Sequence, residues 1–384
     1  MSQVSSILKR DMELFYNDLE CDCKISDSTC DTILVSDFTE YNPLHNGHFH
    51  CMKTAKSMFP KSLFVAIVPG LFERSGRGIP YILPREIRAE IAISVGADIV
   101  VEGPPMGIMG SGQYSLCLCK MFQALNTDYI PRGYKAVEGM DEILDRINMG
   151  HHIASKPYKI VDKTTKETLM EGKLEEDNYV ITSFSNSLSK IGFDYDDKFI
   201  FVKRIEGVSG TLIRESILQD NFEGVVDMMP QKTIEVLKRE IRKGSIIYGI
   251  RDVEKILDTA NNYSFEELSN LNLFNDKLAG KIIENRHHDN LESLENSILQ
   301  GFSSHFHQRV LSILENPIPK KTISTYIDRY PANIRVLDYK NEDSLEKFKE
   351  KVNNENIIHY WGLKILLITF WGFESAYIAS INVE

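Results

Sequence analysis

The sequence predicts an α/β protein built on a doubly wound parallel sheet, followed by a mainly helical C-terminal domain. Three observations support this. Apolar runs at 32–38, 63–68, 98–101, 128–130 and 198–202 alternate with helical patterns at 46–57, 84–95, 112–125 and 210–219, the order of strand and helix that parallel crossover units require. Glycine-bearing turns carry the first and the last of those strands into helices. Beyond about Ser245 the pattern turns helical, with apolar pairs at Ile256-Leu257 and Ile282-Ile283 and no further strand-and-glycine turn.

Taken in order, residues 1–30 form a helical extension in which Ile7, Met12, Leu14, Phe15 and Leu19 make one apolar stripe that packs on the main domain. Residues 31–244 form the sheet domain. Within it, β-branched residues alternate with charges between Lys156 and Ile181, and Lys163-Thr164-Thr165-Lys166 reads as a turn, so a hairpin insertion is expected near 156–182. Pro230 stands at the first turn of a helix that closes this domain. Residues 245–384 form the helical C-terminal domain.

Chemistry concentrates at His45-Asn46-Gly47-His48, directly after the first strand. A strand that turns into a helix through glycine brings two imidazoles and free backbone N–H groups to one point, where the helix N-terminus favours negative charge. Both histidines are therefore candidate donors to phosphate oxygens, and Gly47 admits the ligand to the backbone. An ordinary helix start would use the same imidazoles as caps. A second strand-to-helix turn, Ser209-Gly210-Thr211-Leu212-Ile213-Arg214, offers two hydroxyls and a guanidinium suited to a triphosphate tail. In an open α/β sheet such a ligand sits at the carboxyl ends of the strands.

The chain has 384 residues, 42% of them hydrophobic, and a net charge of −11. It can bury a sizeable core, and any polyanion must be met by local basic patches against an unfavourable mean field. The six cysteines include Cys21, Cys23 and Cys30, whose spacing fits no zinc ribbon, so no protein metal site is expected. The polar N-terminal start carries no secretory apolar stretch, which points to a cytoplasmic protein. The apolar segment from Tyr360 to Ile381 is broken by Lys364 and Glu374. Its aromatics, among them Trp361, Phe370 and Trp371, read as core and not as a membrane span.

The pairing of HxGH with SGTxxR resembles the HIGH-type nucleotidyltransferase superfamily, whose members bring the two motifs together around ATP. Within it, Glu40-Tyr41-Asn42-Pro43-Leu44-His45-Asn46-Gly47-His48 is similar to the EYNPFHNGH run of the tRNA(Met) cytidine acetate ligase family. Gly70-Leu71-Phe72-Glu73-Arg74-Ser75-Gly76 looks like its GNFxxRG, Ser111-Gly112-Gln113-Tyr114 like its SAEYF, and Lys203-Arg204-Ile205 like its KRI. The chain departs from that family at Leu116–Cys119, where the relatives carry a glycine, and at Pro131-Arg132-Gly133-Tyr134, where they carry a GSE-like turn.

The resemblance implies a catalytic domain in which His45 and His48 act on an α-phosphate, with Glu40, Asn42, Gly47, Arg204, Ser209, Thr211 and Arg214 binding ATP. Asn186 corresponds to an ATP-binding asparagine of the relatives. It further implies Mg2+ on the triphosphate, acetate or a similar small carboxylate activated as an acyl-adenylate, and transfer to a cytidine N4 amine of tRNA. Lys320, Lys321, Arg329 and Arg335 interleave with Tyr326 and Tyr330 and form the candidate RNA-facing segment. Two alternatives stand beside this reading: a nucleotidyltransferase acting on a small phosphorylated alcohol, and a nucleotide-dependent RNA or protein binding module without turnover.

Overall fold

The structure, a computed structural model, describes residues 3–21, 30–172, 174–298, 303–352 and 357–359. The aromatic segment from Tyr360 onward and Cys23 lie outside the described residues. Ten strands are described: β1 Leu34–Phe38, β2 Leu63–Pro69, β3 Ile99–Gly103, β4 Ile130–Tyr134, β5 Ile153–Lys156, β6 Lys159–Asp162, β7 Thr168–Glu171, β8 Phe199–Lys203, β9 Ile334–Tyr339 and β10 Ile357–His359. The helices through the sheet domain are α1 Gln3–Asp18, α2 Asn46–Met58, α3 Arg85–Val95, α4 Ser111–Ala124, α5 Met140–Asn148, α6 Glu176–Ile191, α7 Gly210–Leu218 and α8 Gln231–Lys243. Beyond them follow α9 Val253–Asn262, α10 Phe265–Asn270, α11 Asp276–Glu284, α12 Leu291–Ile298, α13 Ser304–Glu315, α14 Lys320–Arg329 and α15 Glu342–Val352.

β1, β2 and β3 pair in parallel, as do β4 and β8. A parallel bridge from Val35 to Tyr129 joins the two groups. The five strands therefore run in the order β3-β2-β1-β4-β8, and the connections diverge between β1 and β4, the switch point at which open α/β sheets bind ligands. Side chains alternate across the sheet. Leu34, Val65, Ile67, Ile99 and Val101 face one apolar cluster with Phe15, Phe122, Phe184 and Ile313; Val35, Phe64, Ala66, Val68 and Val100 face another with Met52, Ala89 and Leu237. Helices cover both faces, as the sequence predicts.

Two segments differ from expectation. The insertion is a three-stranded antiparallel meander of β5, β6 and β7, and Tyr179-Val180-Ile181-Thr182 belongs to α6. Helix wins there because Ile181, Phe184 and Leu188 recur at helical spacing and are fully buried, which outweighs the β propensity of Val180 and Ile181. The C-terminal third also contributes strands: β9 pairs antiparallel with β3, and β10 runs parallel to β9.

β9 brings Arg335 into the interior. It is 6% exposed, donates to Glu102 at 2.9 Å and pairs with Asp18 of α1. Nearby, Arg85 makes a double contact with Asp11, at 2.7 and 2.9 Å, and also meets Glu73 and Glu102. Arg88 reaches Glu73 at 3.0 Å. Burial pushes the Asp11 carboxyl up, but Arg85 and Arg10 outweigh it and hold the group below the usual carboxylate range. Arg335 is thus a structural cation and cannot serve an RNA surface, which corrects its placement in the RNA-facing segment. Arg335→Ala would leave two buried carboxylates uncompensated, and breaking such pairs costs about 3–5 kcal/mol. A lower urea midpoint with unchanged RNA affinity is the expected outcome.

Candidate active site

Local sequence fixes the entrance to the site. His45 is the extended N-cap of α2, with φ −127°, and its backbone N–H faces His48 Nδ1 at 3.4 Å. The two imidazoles stack at 3.7 Å, and Tyr41 meets His48 edge-on at 5.4 Å. A Cβ on Gly47 would stand 3.1 Å from His45 Cε1, so the glycine lets the ring fold back over the first turn. On the opposite wall Ser209 caps α7 by accepting from Leu212 N–H at 3.2 Å. Arg214 then donates to the Asn42 carbonyl at 2.9 Å and to Thr211 Oγ1 at 3.0 Å. Asn42 Oδ1 is occupied by Ile82 N–H at 2.7 Å. Asn42 and Arg214 therefore tie the two helix starts together.

These groups border a cleft of about 340 Å³ lined by Glu40, Asn42, His45, Arg77, Arg132, Arg204, Ser209, Thr211 and Arg214, with Phe38, Met106, Tyr114 and Val180 as the less polar wall. Four guanidiniums against one carboxylate give the cleft a positive charge inside an acidic protein, and low-dielectric walls focus such a field. Three of its buried donors or acceptors, His45 Nδ1, Arg132 Nε and Arg214 Nε, have no hydrogen-bond partner among the described residues. Each such atom costs about 1–3 kcal/mol, so an anion with several acceptor oxygens is the ligand that would satisfy them.

Burial, then Arg204 and Arg214, lowers the His45 pKa to about 4. Burial, then His45, Arg204 and Arg132, holds His48 well below its ordinary value. Both rings are neutral at pH 7 and act as hydrogen-bonding groups, not as cations. Asp37, at the end of β1, is pushed up to about 7 by burial although Arg132 lies 3.1 Å away. His45 has a folded pKa below its unfolded value near 6.5, so the unfolded chain binds the extra proton between pH 6.5 and 4. Its effect on stability is fully favourable above 6.5 and is lost as pH falls through that window, by ~3 kcal/mol at most. Asp37 has the opposite slope. The difference in unfolding free energy between the parent protein and His45→Asn, measured at pH 5 and pH 7, isolates the histidine and should narrow at the lower pH.

Of the residues singled out in the sequence, the fold gathers Glu40, Asn42, His45, Arg204, Ser209, Thr211 and Arg214 around one cleft. Gly47 lies beneath His45, and His48 stacks behind it. Asn186 is not among the lining residues; it accepts from His152 and Lys163 at 2.8 and 2.9 Å on the meander side of α6. Lys320, Lys321 and Arg329 are exposed, but Tyr326 and Tyr330 are buried. Arg329 donates to the Leu19 carbonyl and Lys320 to that of Ser269 at 2.5 Å, so this helix presents no aromatic platform. Arg77, Arg132 and Tyr114 were not nominated from the sequence. Arg132 was findable, because β4 borders the switch point and its carboxyl end must face the ligand.

Among the described residues no group of three or more His, Cys, Asp or Glu side chains could hold a metal ion, and no helix is long and apolar enough to cross a membrane.

A family model described as HIGH Nucleotidyl Transferase matches residues 35–172, and one described as Cytidyltransferase-related C-terminal region matches residues 135–338. An uncharacterized protein of Methanocaldococcus jannaschii is 49% identical over 313 residues, 80% of this chain and 85% of its own. The tRNA(Met) cytidine acetate ligase of Thermotoga maritima is 25% identical over 273 residues, 61% of this chain and 62% of the ligase, so the match spans just under two thirds of that enzyme. The crystal structure of Thermotoga maritima TmcAL bound with alpha-thio ATP has the same fold, with a TM-score of 0.70, 17% identity and 89% of each chain covered.

Proposed function

Because this chain belongs to the HIGH nucleotidyl transferase family with a cytidyltransferase-related C-terminal region, we propose that it is an adenylate-forming ligase that activates a small carboxylate with ATP and transfers the acyl group to a cytidine N4 amine of tRNA. The observation that carries this reading is the cluster of unpaired buried atoms, His45 Nδ1, Arg132 Nε and Arg214 Nε, at the switch-point cleft. The names of the Thermotoga relatives, a tRNA(Met) cytidine acetate ligase and a TmcAL bound with alpha-thio ATP, support it from outside.

In the first step a carboxylate oxygen attacks the α-phosphorus. One O–P bond forms, the α–β phosphoanhydride bond breaks, and pyrophosphate leaves. Neutral His45 donates to an α-phosphate oxygen as its charge grows, while Arg214, Thr211 and the N-terminus of α7 hold the departing phosphates. Arg204 supports the nucleotide. Mg2+ enters as the counter-ion of the triphosphate, with Glu40 the one acidic residue among those lining the cleft. Phe38, Met106 and Val180 give a short acyl chain its apolar contact. In the second step the amine attacks the acyl carbonyl, AMP leaves and the nitrogen releases a proton.

The test is incubation with ATP labelled at the α-phosphate and a panel of acids, with and without tRNA. Acid-dependent labelled adenylate, and acyl-cytidine only when tRNA is present, are expected. Transfer of label to a small phosphorylated alcohol would replace this reading with the nucleotidyltransferase, and absence of any pyrophosphate release would leave a binding module.

A further inference from the structure

With Arg335 buried and the aromatics of α14 in the core, an RNA surface must lie elsewhere, and the meander offers one. Its first turn is Lys156-Pro157-Tyr158-Lys159, a two-residue hairpin in which Lys156 and Lys159 are direct cross-strand partners. Like charges placed opposite one another destabilise a strand pair. Between them Tyr158 is 69% exposed and has φ 63°, a left-handed conformation that glycine or asparagine adopts at less expense. Two local penalties therefore coincide at one tip. Both are explained if the tip meets a ligand that takes positive charge and an aromatic face together.

Other lysines join this side. Lys163 reaches Asn186 at 2.9 Å, and its pKa is lowered by burial and by the charges of Lys190 and Lys156, which places three ammonium groups within each other's field. The nearby acids are already neutralised: Asp162 is buried against Arg146 at 3.0 Å and His151 at 2.7 Å, and Glu167 pairs with the same arginine. The meander is also fixed relative to the cleft. Ile153 N–H donates to Ser185 Oγ at 2.9 Å and Ser155 bonds Thr182 at 2.8 Å, so β5 lies along α6, the helix whose Val180 lines the cleft. At 1.5 Å per residue, Lys190 stands roughly 15 Å along that helix from Val180.

We propose that the Lys156–Lys159 hairpin tip, with Lys163 and Lys190, is a contact for single-stranded RNA, in which Tyr158 stacks on an unpaired base and the lysines meet the flanking phosphates. This rests on the reading that the acyl acceptor is RNA, and it locates the docking face of that acceptor on the meander side of the cleft. A paired ammonium tip around an exposed planar ring is the chemistry by which single strands are held, since every base has a face to stack and every nucleotide a phosphate.

The experiment compares the full-length protein with Tyr158→Gly, which relieves the left-handed residue, and with the double variant Lys156→Gln/Lys159→Gln, which removes the like-charge pair. Neither change burdens the fold. Affinity for an unfractionated tRNA pool is measured at several salt concentrations, beside acid-dependent pyrophosphate exchange. Tyr158→Gly should weaken RNA binding about 10-fold, the loss of one stacked base, and the double lysine variant should lower the slope of log affinity against log salt by about 1. Exchange should stay at the parent rate. If the parent binds RNA and both variants bind equally well, the proposal is overturned while the RNA-acceptor reading stands. It is equally overturned if only Lys320→Glu/Lys321→Glu weakens binding. A parent protein that exchanges pyrophosphate yet binds no RNA at any salt overturns both.

Discussion

His45→Ala is expected to lower adenylate formation by roughly 10²- to 10³-fold, the effect of removing one pre-organised donor from a developing oxyanion. ATP affinity should fall much less. The ring lines the cleft, is neutral at pH 7 because burial lowers its pKa to about 4, and carries a buried nitrogen without a partner among the described residues. A neutral donor strengthens its hydrogen bond as charge accumulates in the transition state and offers little to the ground state. The measurement is single-turnover adenylation beside nucleotide binding on a variant shown to be folded. A variant that adenylates at the parent rate removes His45 from the chemistry. His48, which stacks behind that ring and accepts from its backbone, acts as a positioning residue, so its loss should be milder and should be recovered in part by asparagine.

Arg214→Ala should reduce kcat/KM for ATP by about 10²-fold or more. Hydrogen bonds to charged groups contribute about 1.5–3 kcal/mol each, and a tenfold rate change corresponds to about 1.4 kcal/mol. The guanidinium also holds the Asn42 carbonyl, so the two halves of the site should lose their alignment together. Arg214→Lys keeps the charge but cannot make the same fork of donors; it should restore ATP binding more than turnover. A variant with unchanged KM and kcat would show that the phosphates lie elsewhere.

The five parallel strands and both helix starts were legible because each is specified locally, by a continuous apolar run or by a glycine turn with its flanking hydroxyls and imidazoles. What escaped depends on partners far away in the chain. Arg335 reads as one more cation in a basic segment until β9 is placed beside β3, where Glu102 and Asp18 surround it. Val180 and Ile181 read as strand until Phe184 and Leu188 complete a buried helical stripe. Arg132 looks like a departure from a motif, and only its position at the end of β4, bonded to the Phe38 carbonyl at 2.6 Å, turns it toward the cleft. Tyr158 and its two lysines look like an ordinary polar turn until the register sets Lys156 opposite Lys159.

The ion cluster between α1, β3 and β9 bears on how the chain emerges from the ribosome. Asp18 and Arg335 are 317 positions apart, so the acidic groups of the nascent N-terminal half wait for a counter-charge that is translated near the end. Contacts of such separation slow folding, and domains otherwise tend to fold in order of synthesis. Here the edge of the central sheet cannot close vectorially: β3 stays unpaired on one side until β9 has left the exit tunnel, and a chain released before residue 335 would expose that edge to other nascent chains.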